Sequence, residues 1–83
     1  MSDEFERNQK ILQLARLRDL AEKAYDDMYE QHSFSGSGAC YSDAKEFYYD
    51  AIRLAEELGL AEESAAMTKR LEHIKGVFRS QFS

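Results

Sequence analysis

The spacing of apolar residues divides the chain into helical segments. A first helix is predicted over residues 3–31, because apolar side chains recur every three or four positions from Ile11 onward, the spacing of one face of an α-helix. This stripe consists of Ile11, Leu14, Leu17, Ala21, Ala24 and Met28. Leu12 and Leu20 are apolar too, but one stripe does not accommodate them together with Ile11. The pattern predicts a long first helix with apolar residues left over.

Two further helices are predicted, over residues 40–58 and 61–82. The stripe of the second is Tyr41, Ala44, Tyr48, Ala51, Ala55 and Leu58. The stripe of the third is Ser64, Met67, Leu71, Ile74, Phe78 and Phe82. Gly59 stands between them where a left-handed residue ends a helix, and Leu60 follows as its hydrophobic companion. Glu62 and Glu63 occupy the first turn of the third helix, where the helix dipole favours acids.

The connections determine the architecture. Residues 32–39 are rich in serine and glycine and predict a loop, with Phe34 as its apolar anchor. A link of two or three residues after residue 58 makes the second and third helices antiparallel neighbours. We therefore expect one all-α domain over residues 1–83, a three-helix antiparallel bundle running up, down and up.

Composition and charge exclude several classes of function. The net charge of −5 argues against general affinity for nucleic acid. No apolar run approaches the ~20 residues of a membrane span, and the acidic start does not resemble an export signal. The single cysteine, Cys40, cannot form an internal disulfide, so the expected location is the cytoplasm. Four bases against one acid after residue 68 make the last helix the basic end of an acidic chain.

Candidate chemistry is sparse. His32, His73 and Cys40 are too few and too scattered for a structural zinc site, and no orienting group accompanies a Cys–His pair. The acid pairs 26–27 and 56–57 point about 100° apart on a helix and do not converge on one substrate. We therefore expect no metal, no cofactor and no catalytic residue.

The second helix resembles that of a tetratricopeptide repeat. That helix usually reads Gly-x-Tyr-x-x-Ala-x-x-x-Tyr/Phe-x-x-Ala-x-x-Leu, and its sites are occupied here by Tyr41, Ala44, Tyr48, Ala51 and Leu54, with Ala39 in place of the opening glycine. Leu71, Ile74 and Phe78 look like the start of a following repeat, although Lys75 stands where the family prefers a small residue. The resemblance covers about one and a half repeats, and such repeats normally stack in threes or more.

Microtubule-interacting-and-trafficking domains provide a second, weaker resemblance. They are three-helix bundles of similar length, and their second helix is similar in its Ala-x-x-x-Tyr-x-x-Ala pattern. Their second connection is usually longer than residues 59–60 allow. Both families bind peptides and neither is enzymatic, so both resemblances imply a non-enzymatic, peptide-binding function.

The third helix carries the candidate binding residues. Lys69, His73, Gly76 and Ser80 share one face at four- and three-residue spacing, with Arg79 beside them. In tetratricopeptide repeats the first helix of each pair lines a groove whose basic residues hold a peptide's terminal carboxylate. The resemblance implies such a role for Lys69 and His73.

Two functions remain open from the sequence. The first is a non-enzymatic interaction module that binds an acidic or C-terminal peptide, or a partner helix, between helices one and three. Tyr25 and Tyr29 would supply apolar contact, and Tyr49, which falls off its stripe, is a further contact candidate. The alternative is a self-associating structural or regulatory domain, a homodimer that pairs through the leftover apolar residues of helix one.

Overall fold

The computed structural model describes residues 2–30 and 34–82 and places nearly all of them in three α-helices. Helix α1 spans Ser2–Glu30, α2 spans Phe34–Glu57 and α3 spans Ala61–Phe82. The described residues contain no strand. The predicted all-α class with three packed helices is therefore confirmed.

Contacts between side chains give the direction of each helix. Lys10 near the start of α1 meets Glu57 at the end of α2, so these two helices are antiparallel. Tyr41 early in α2 stacks on Phe78 late in α3, with ring centroids 4.0 Å apart, so that pair is antiparallel as well. Helices α1 and α3 consequently run in the same direction, and the molecule is elongated, with extents of 49 × 18 × 13 Å.

Helix α2 lies between the other two and packs extensively against both. Its buried face is built mainly from alanine, which lets the flanking helices come close. The fully buried alanines of the core are Ala21, Ala44, Ala51 and Ala55. Between them the larger buried side chains interlock, namely Leu14, Tyr25, Met28, Tyr48, Met67, Leu71 and Ile74. Close packing of small and large residues is how such an interior reaches high density.

The start of α2 differs from the sequence-based prediction. The Ser/Gly loop was expected over residues 32–39, with the helix beginning at residue 40, whereas α2 begins at Phe34. Gly38 thus lies inside the helix. Glycine and serine disfavour a helix locally, but tertiary packing of the rest of a helix routinely overrides such local preferences.

The turn between α2 and α3 follows the prediction closely. Gly59 adopts a φ of 74°, in the left-handed region that suits glycine. The Leu60 amide donates to the carbonyl of Ala55 at 2.8 Å, and the Gly59 amide donates to the carbonyl of Glu56 at 3.1 Å. These two hydrogen bonds form a Schellman motif. Arg7 on α1 donates to the carbonyl of Leu58 at 3.1 Å and so ties the first helix to this turn.

A helix that crosses a bilayer needs about 20 predominantly apolar residues in succession. Over the part of the chain that the structure describes, none of the three helices meets that requirement.

Candidate interaction groove between α1 and α3

The backbones of α1 and α3 approach each other at few points, and a shallow groove separates them. At the end nearest the α2–α3 turn the groove is an apolar cavity of about 300 Å³. It is lined by Ile11, Leu14, Ala15, Arg18, Leu60 and Glu63. Ala15 is exposed and Leu14 is buried, so the cavity has a small residue at its rim and an apolar floor.

A second cavity of about 260 Å³ continues the groove toward the other end of the bundle. The two cavities share Arg18 and Glu63. The residues added here are Asp19, Glu22, Tyr48, Ala66, Met67 and Arg70. Tyr48 and Met67 are buried and form the floor, whereas Ala66 is exposed on the α3 side. These two cavities together form the groove.

Two ion pairs cross the groove from α1 to α3. Arg18 Nη1 lies 3.3 Å from Glu63 Oε2, and Arg70 Nη2 lies 2.8 Å from Glu22 Oε1. All four side chains remain 39–49% exposed. Ion pairs this exposed contribute little stability each. The seam between α1 and α3 is therefore held by side chains that a partner can displace or extend.

Glu22 is the centre of the polar network in the groove. Arg70 donates to both of its carboxylate oxygens, from Nε at 3.0 Å and from Nη2 at 2.8 Å. The Tyr48 hydroxyl on α2 donates to the same carboxylate. The Arg70 guanidinium also lies over the Tyr25 ring, 4.9 Å from its centroid. Four residues from three helices are thus joined through one arginine and one glutamate.

The network shifts the pKa values of its members in opposite directions. Hydrogen bonding to Arg70 lowers the pKa of Glu22 and outweighs the effect of partial burial. Burial, and then the hydrogen bond to Glu22, raises the pKa of Tyr48. The hydrogen bond to Glu22 raises the pKa of Arg70 further. At neutral pH the group therefore holds one carboxylate, one guanidinium and one neutral phenol.

The basic residues predicted on α3 do not line the groove. Lys69, His73 and Arg79 are all exposed, and Lys69 and His73 point away from the buried face that holds Leu71. His73 follows Ala66 by seven residues, so the two share one side of α3. Lys69 and His73 consequently lie along the α3 rim of the groove, outside its lining.

Gly76 is not explained by a close approach. A Cβ placed on Gly76 would meet no atom within 4 Å, so neither a neighbouring helix nor a tightly packed contact occupies that space. Close packing against a neighbouring helix therefore does not account for this glycine.

The three tyrosines of the predicted site lie apart. Tyr25 is only 7% exposed and belongs to the core, so it offers little surface to a partner. The side chain of Tyr29 lies outside the described part of the structure. Tyr49 is 47% exposed, on the side of α2 away from the groove, and the Lys75 ammonium lies 5.2 Å from its ring centroid. The structure does not bring these residues together with the α3 rim.

The sequence pattern led to no predicted role in binding for the charged residues that line the groove. A signal was present: Arg18 and Glu22 lie four residues apart on α1, directly beside the apolar stripe. Glu63 and Arg70, seven residues apart, likewise lie directly beside the apolar stripe of α3. Charges at the edge of a stripe, alternating in sign on two parallel helices, are suited to pair across a seam.

Within residues 2–30 and 34–82, no three His, Cys, Asp or Glu side chains are grouped so as to hold a metal ion. Burial, followed by the charges of Asp27 and Asp43, raises the pKa of the Cys40 thiol. A thiol in such surroundings is a weak nucleophile at neutral pH.

Fold and groove together define a small all-α protein of three helices with a shallow, open cleft between two parallel helices. Compared with protein-family models, with curated proteins and with solved structures, the chain finds no match.

Proposed function

We propose that this chain is a non-enzymatic protein-interaction module that accepts a partner helix in the groove between α1 and α3. The observation that carries the proposal is the apolar end of the groove, where Ile11, Ala15 and Leu60 surround an open cavity. Ile11 is 39% exposed although it belongs to the apolar stripe of α1. An amphipathic helix that lies in such a groove buries its own apolar stripe against these residues.

The length of the groove suits a short helix. From Ile11 to Glu22 it follows eleven residues of α1, or about 16 Å at 1.5 Å per residue. Three turns of a partner helix cover that distance and present apolar residues at positions i, i+4 and i+7. The small side chains of Ala15 and Ala66, one on each side, leave room for this approach.

The test uses a neutral amphipathic peptide of about 14 residues with a leucine stripe and glutamine elsewhere. Binding is followed by fluorescence anisotropy, and the contact surface by amide shifts in ¹⁵N-labelled protein. We expect shifts at residues 11–22 and 60–73. The double variant Ala15→Gln/Ala66→Gln, which narrows both cavities, should lose at least tenfold in affinity. The control Ala65→Gln alters an exposed alanine of α3 outside the groove and should bind normally. Equal binding by both variants, or no binding to the wild type, would contradict the proposal.

A second candidate function rests on a different surface. Phe5 and Leu12 on α1 are each 65% exposed, and Leu12 lies about 160° around the helix from buried Leu14. These side chains form an apolar outer face that a second copy of the chain would cover in a homodimer. Sedimentation equilibrium at two protein concentrations tests this alternative. A mass that rises with concentration in the wild type, and stays monomeric in Leu12→Gln, would support it, and a strict monomer would exclude it.

A further inference from the structure

The outer face of α1 carries a stripe of exposed side chains outside the core. Phe5, Leu12 and Leu20 are its large apolar residues, and all three are exposed. Gln9 and Arg16 lie between them and are exposed as well. At about 100° per residue, these five positions fall within about 80° of arc around the helix. The helix therefore presents one continuous face of apolar and polar side chains.

The order of residues along this face is symmetric. Counted from the midpoint between residues 12 and 13, Phe5 and Leu20 are equally distant in opposite directions, and so are Gln9 and Arg16. An antiparallel copy of α1 centred on the same point therefore sets apolar against apolar at both ends, and an amide against a guanidinium between them. Two-fold pairs are the commonest homo-oligomers, and each requires a patch that is complementary to itself.

The centre of the face has the shape that such a contact needs. An open cavity of about 410 Å³ lies there, lined by Gln9, Leu12, Gln13, Arg16 and Leu17. Leu12 is 65% exposed, so it projects from this lining. In a two-fold pair with this centre, Leu12 of each copy enters the cavity of the other. Gln13 meets its own counterpart, and an amide can both donate and accept a hydrogen bond.

The charges along the face also suit an antiparallel pair. Asp19 and Lys23 border the face and are exposed. With the same centre, Lys23 comes level with the first turn of the opposite copy, which contains Asp3 and Glu4. Asp19 comes level with Glu6, but these two lie about 140° apart around the helix, on opposite edges of the face. A parallel copy would instead set each charge against its own counterpart, which costs energy.

We infer that the outer face of α1 binds the same face of a second copy of this chain, antiparallel and two-fold symmetric about residues 12–13. This inference rests on the homodimer described above as the second candidate function, and it specifies how the two copies meet. Ile11 and Arg18, which line the groove, lie on another side of α1. The pairing therefore leaves the groove of each copy open.

A change of charge distinguishes this pairing from a parallel one. Gln9→Glu places a carboxylate opposite Arg16 of the second copy, twice in each dimer. It should tighten the dimer about two- to tenfold at low ionic strength, and 0.5 M salt should remove the gain. In a parallel pair the same variant would set two carboxylates against each other and loosen the dimer. The control Ala65→Glu adds the same charge at an exposed site of α3 and should give no gain.

Sedimentation equilibrium measures these changes. A single helix face lies at the small end of specific interfaces, so the measurements extend to about 1 mM protein.

Cross-linking locates the two-fold axis. The variants are made in a Cys40→Ser background and kept in a glutathione redox buffer. Leu12→Cys should form a disulfide-linked dimer readily, because both copies of residue 12 lie next to the axis. Phe5→Cys alone should not, because its two copies lie about 22 Å apart along α1. A mixture of Phe5→Cys and Leu20→Cys should cross-link, since these positions face each other.

The outcomes separate this inference from the functions proposed above. A dimer that Gln9→Glu loosens or leaves unchanged, or in which Phe5→Cys cross-links to itself as fast as Leu12→Cys, would keep the homodimer and overturn the antiparallel arrangement. A wild-type chain that stays monomeric up to about 1 mM, with no cross-link in any variant, would exclude the homodimer and this inference together. Neither result affects the groove, whose test uses Ala15→Gln/Ala66→Gln.

Discussion

The carboxylate of Glu22 on α1 accepts two hydrogen bonds from the guanidinium of Arg70 on α3, at 2.8 and 3.0 Å. These two helices share few backbone contacts, so this pair is a principal link across their seam. A bidentate pair fixes both distance and angle, which a single point contact does not. The pair therefore links the two walls of the groove directly, while the packing of both helices on α2 sets their spacing.

The first prediction concerns acid stability. The pKa of Glu22 is lowered in the folded state, chiefly by the hydrogen bonds from Arg70. A lowered pKa means that the pair stabilises the fold above the unfolded pKa, near 4.5, and that this contribution is lost as pH falls through the lower folded pKa. Glu22→Gln should lower the free energy of unfolding at pH 7 by about 1 kcal/mol. Below pH 5, the free energy of unfolding should fall less steeply with decreasing pH in this variant than in the wild type. Urea denaturation between pH 3 and pH 7 measures both effects.

The control for that prediction is Glu46→Gln. Glu46 is exposed on α2 and forms no ion pair among the described residues. Its replacement should leave the pH profile of stability close to that of the wild type. A profile for Glu22→Gln that coincides with that of Glu46→Gln would show that the Arg70 pair contributes nothing in solution.

The second prediction concerns Tyr48. Burial and the Glu22 carboxylate raise the pKa of this phenol, so the folded state resists its ionisation. Stability from this source is fully present below pH 10, the ordinary value for tyrosine, and is lost as pH rises further. Tyr48→Phe removes one donor to Glu22 and should cost about 1 kcal/mol at pH 7. In an alkaline absorbance titration of the folded protein, the variant should lack one phenolate that appears late in the wild type. A late phase that persists unchanged in the variant would show that Tyr48 is not its source.

The third prediction contrasts two glycines. Gly76 lies inside α3 with open space where a Cβ would point, so Gly76→Ala should stabilise the fold by about 0.5–1 kcal/mol through higher helix propensity. Gly59 has a φ of 74°, and Gly59→Ala should destabilise it by about 1 kcal/mol. Thermal unfolding of the two variants should therefore move in opposite directions. A Gly76→Ala variant less stable than the wild type would mean that something else uses that position.

The fourth prediction concerns the alanines that separate the helices. Ala51 is fully buried on α2 at the centre of the bundle. Ala51→Leu forces extra volume into a close-packed interior and should destabilise by about 1–3 kcal/mol. Ala65→Leu, at an exposed site of α3, should stay within about 0.5 kcal/mol of the wild type. Similar denaturation midpoints for the two variants would show that the helices are not held as close as the structure places them.

The linear sequence was sufficient for the elements and the core. Periodicity alone identified Leu14, Ala21 and Met28 on α1 as buried, and the core contains all three. Gly59 and Leu60 predicted the turn after α2, because the Schellman motif depends on one left-handed residue and its immediate neighbours. Periodicity and turn motifs are local features that extend over a few turns of one helix, so a single segment of the chain is enough to predict them.

The start of α2 and the site required the folded structure. Serine and glycine before residue 40 favoured a loop, and the helix nevertheless begins at Phe34, since helix ends depend on packing as well as propensity. The tetratricopeptide resemblance implied that Lys69 and His73 line the groove, whereas the structure places them on its rim and places Arg70, the residue after Lys69, in its lining. Successive side chains on a helix point about 100° apart. The position of the neighbouring helix therefore determines which of two adjacent residues faces the seam.

What the sequence by itself determined is that three amphipathic helices form, which of their faces are buried, and where the last turn lies. The tertiary structure alone decided the register of α1 against α3, which places Glu22 beside Arg70, 48 residues away. The physical reason is that hydrophobic periodicity marks which side of a helix is buried without specifying its neighbour. The pairing of charges across a seam depends on the relative height and rotation of two helices, which packing on α2 sets.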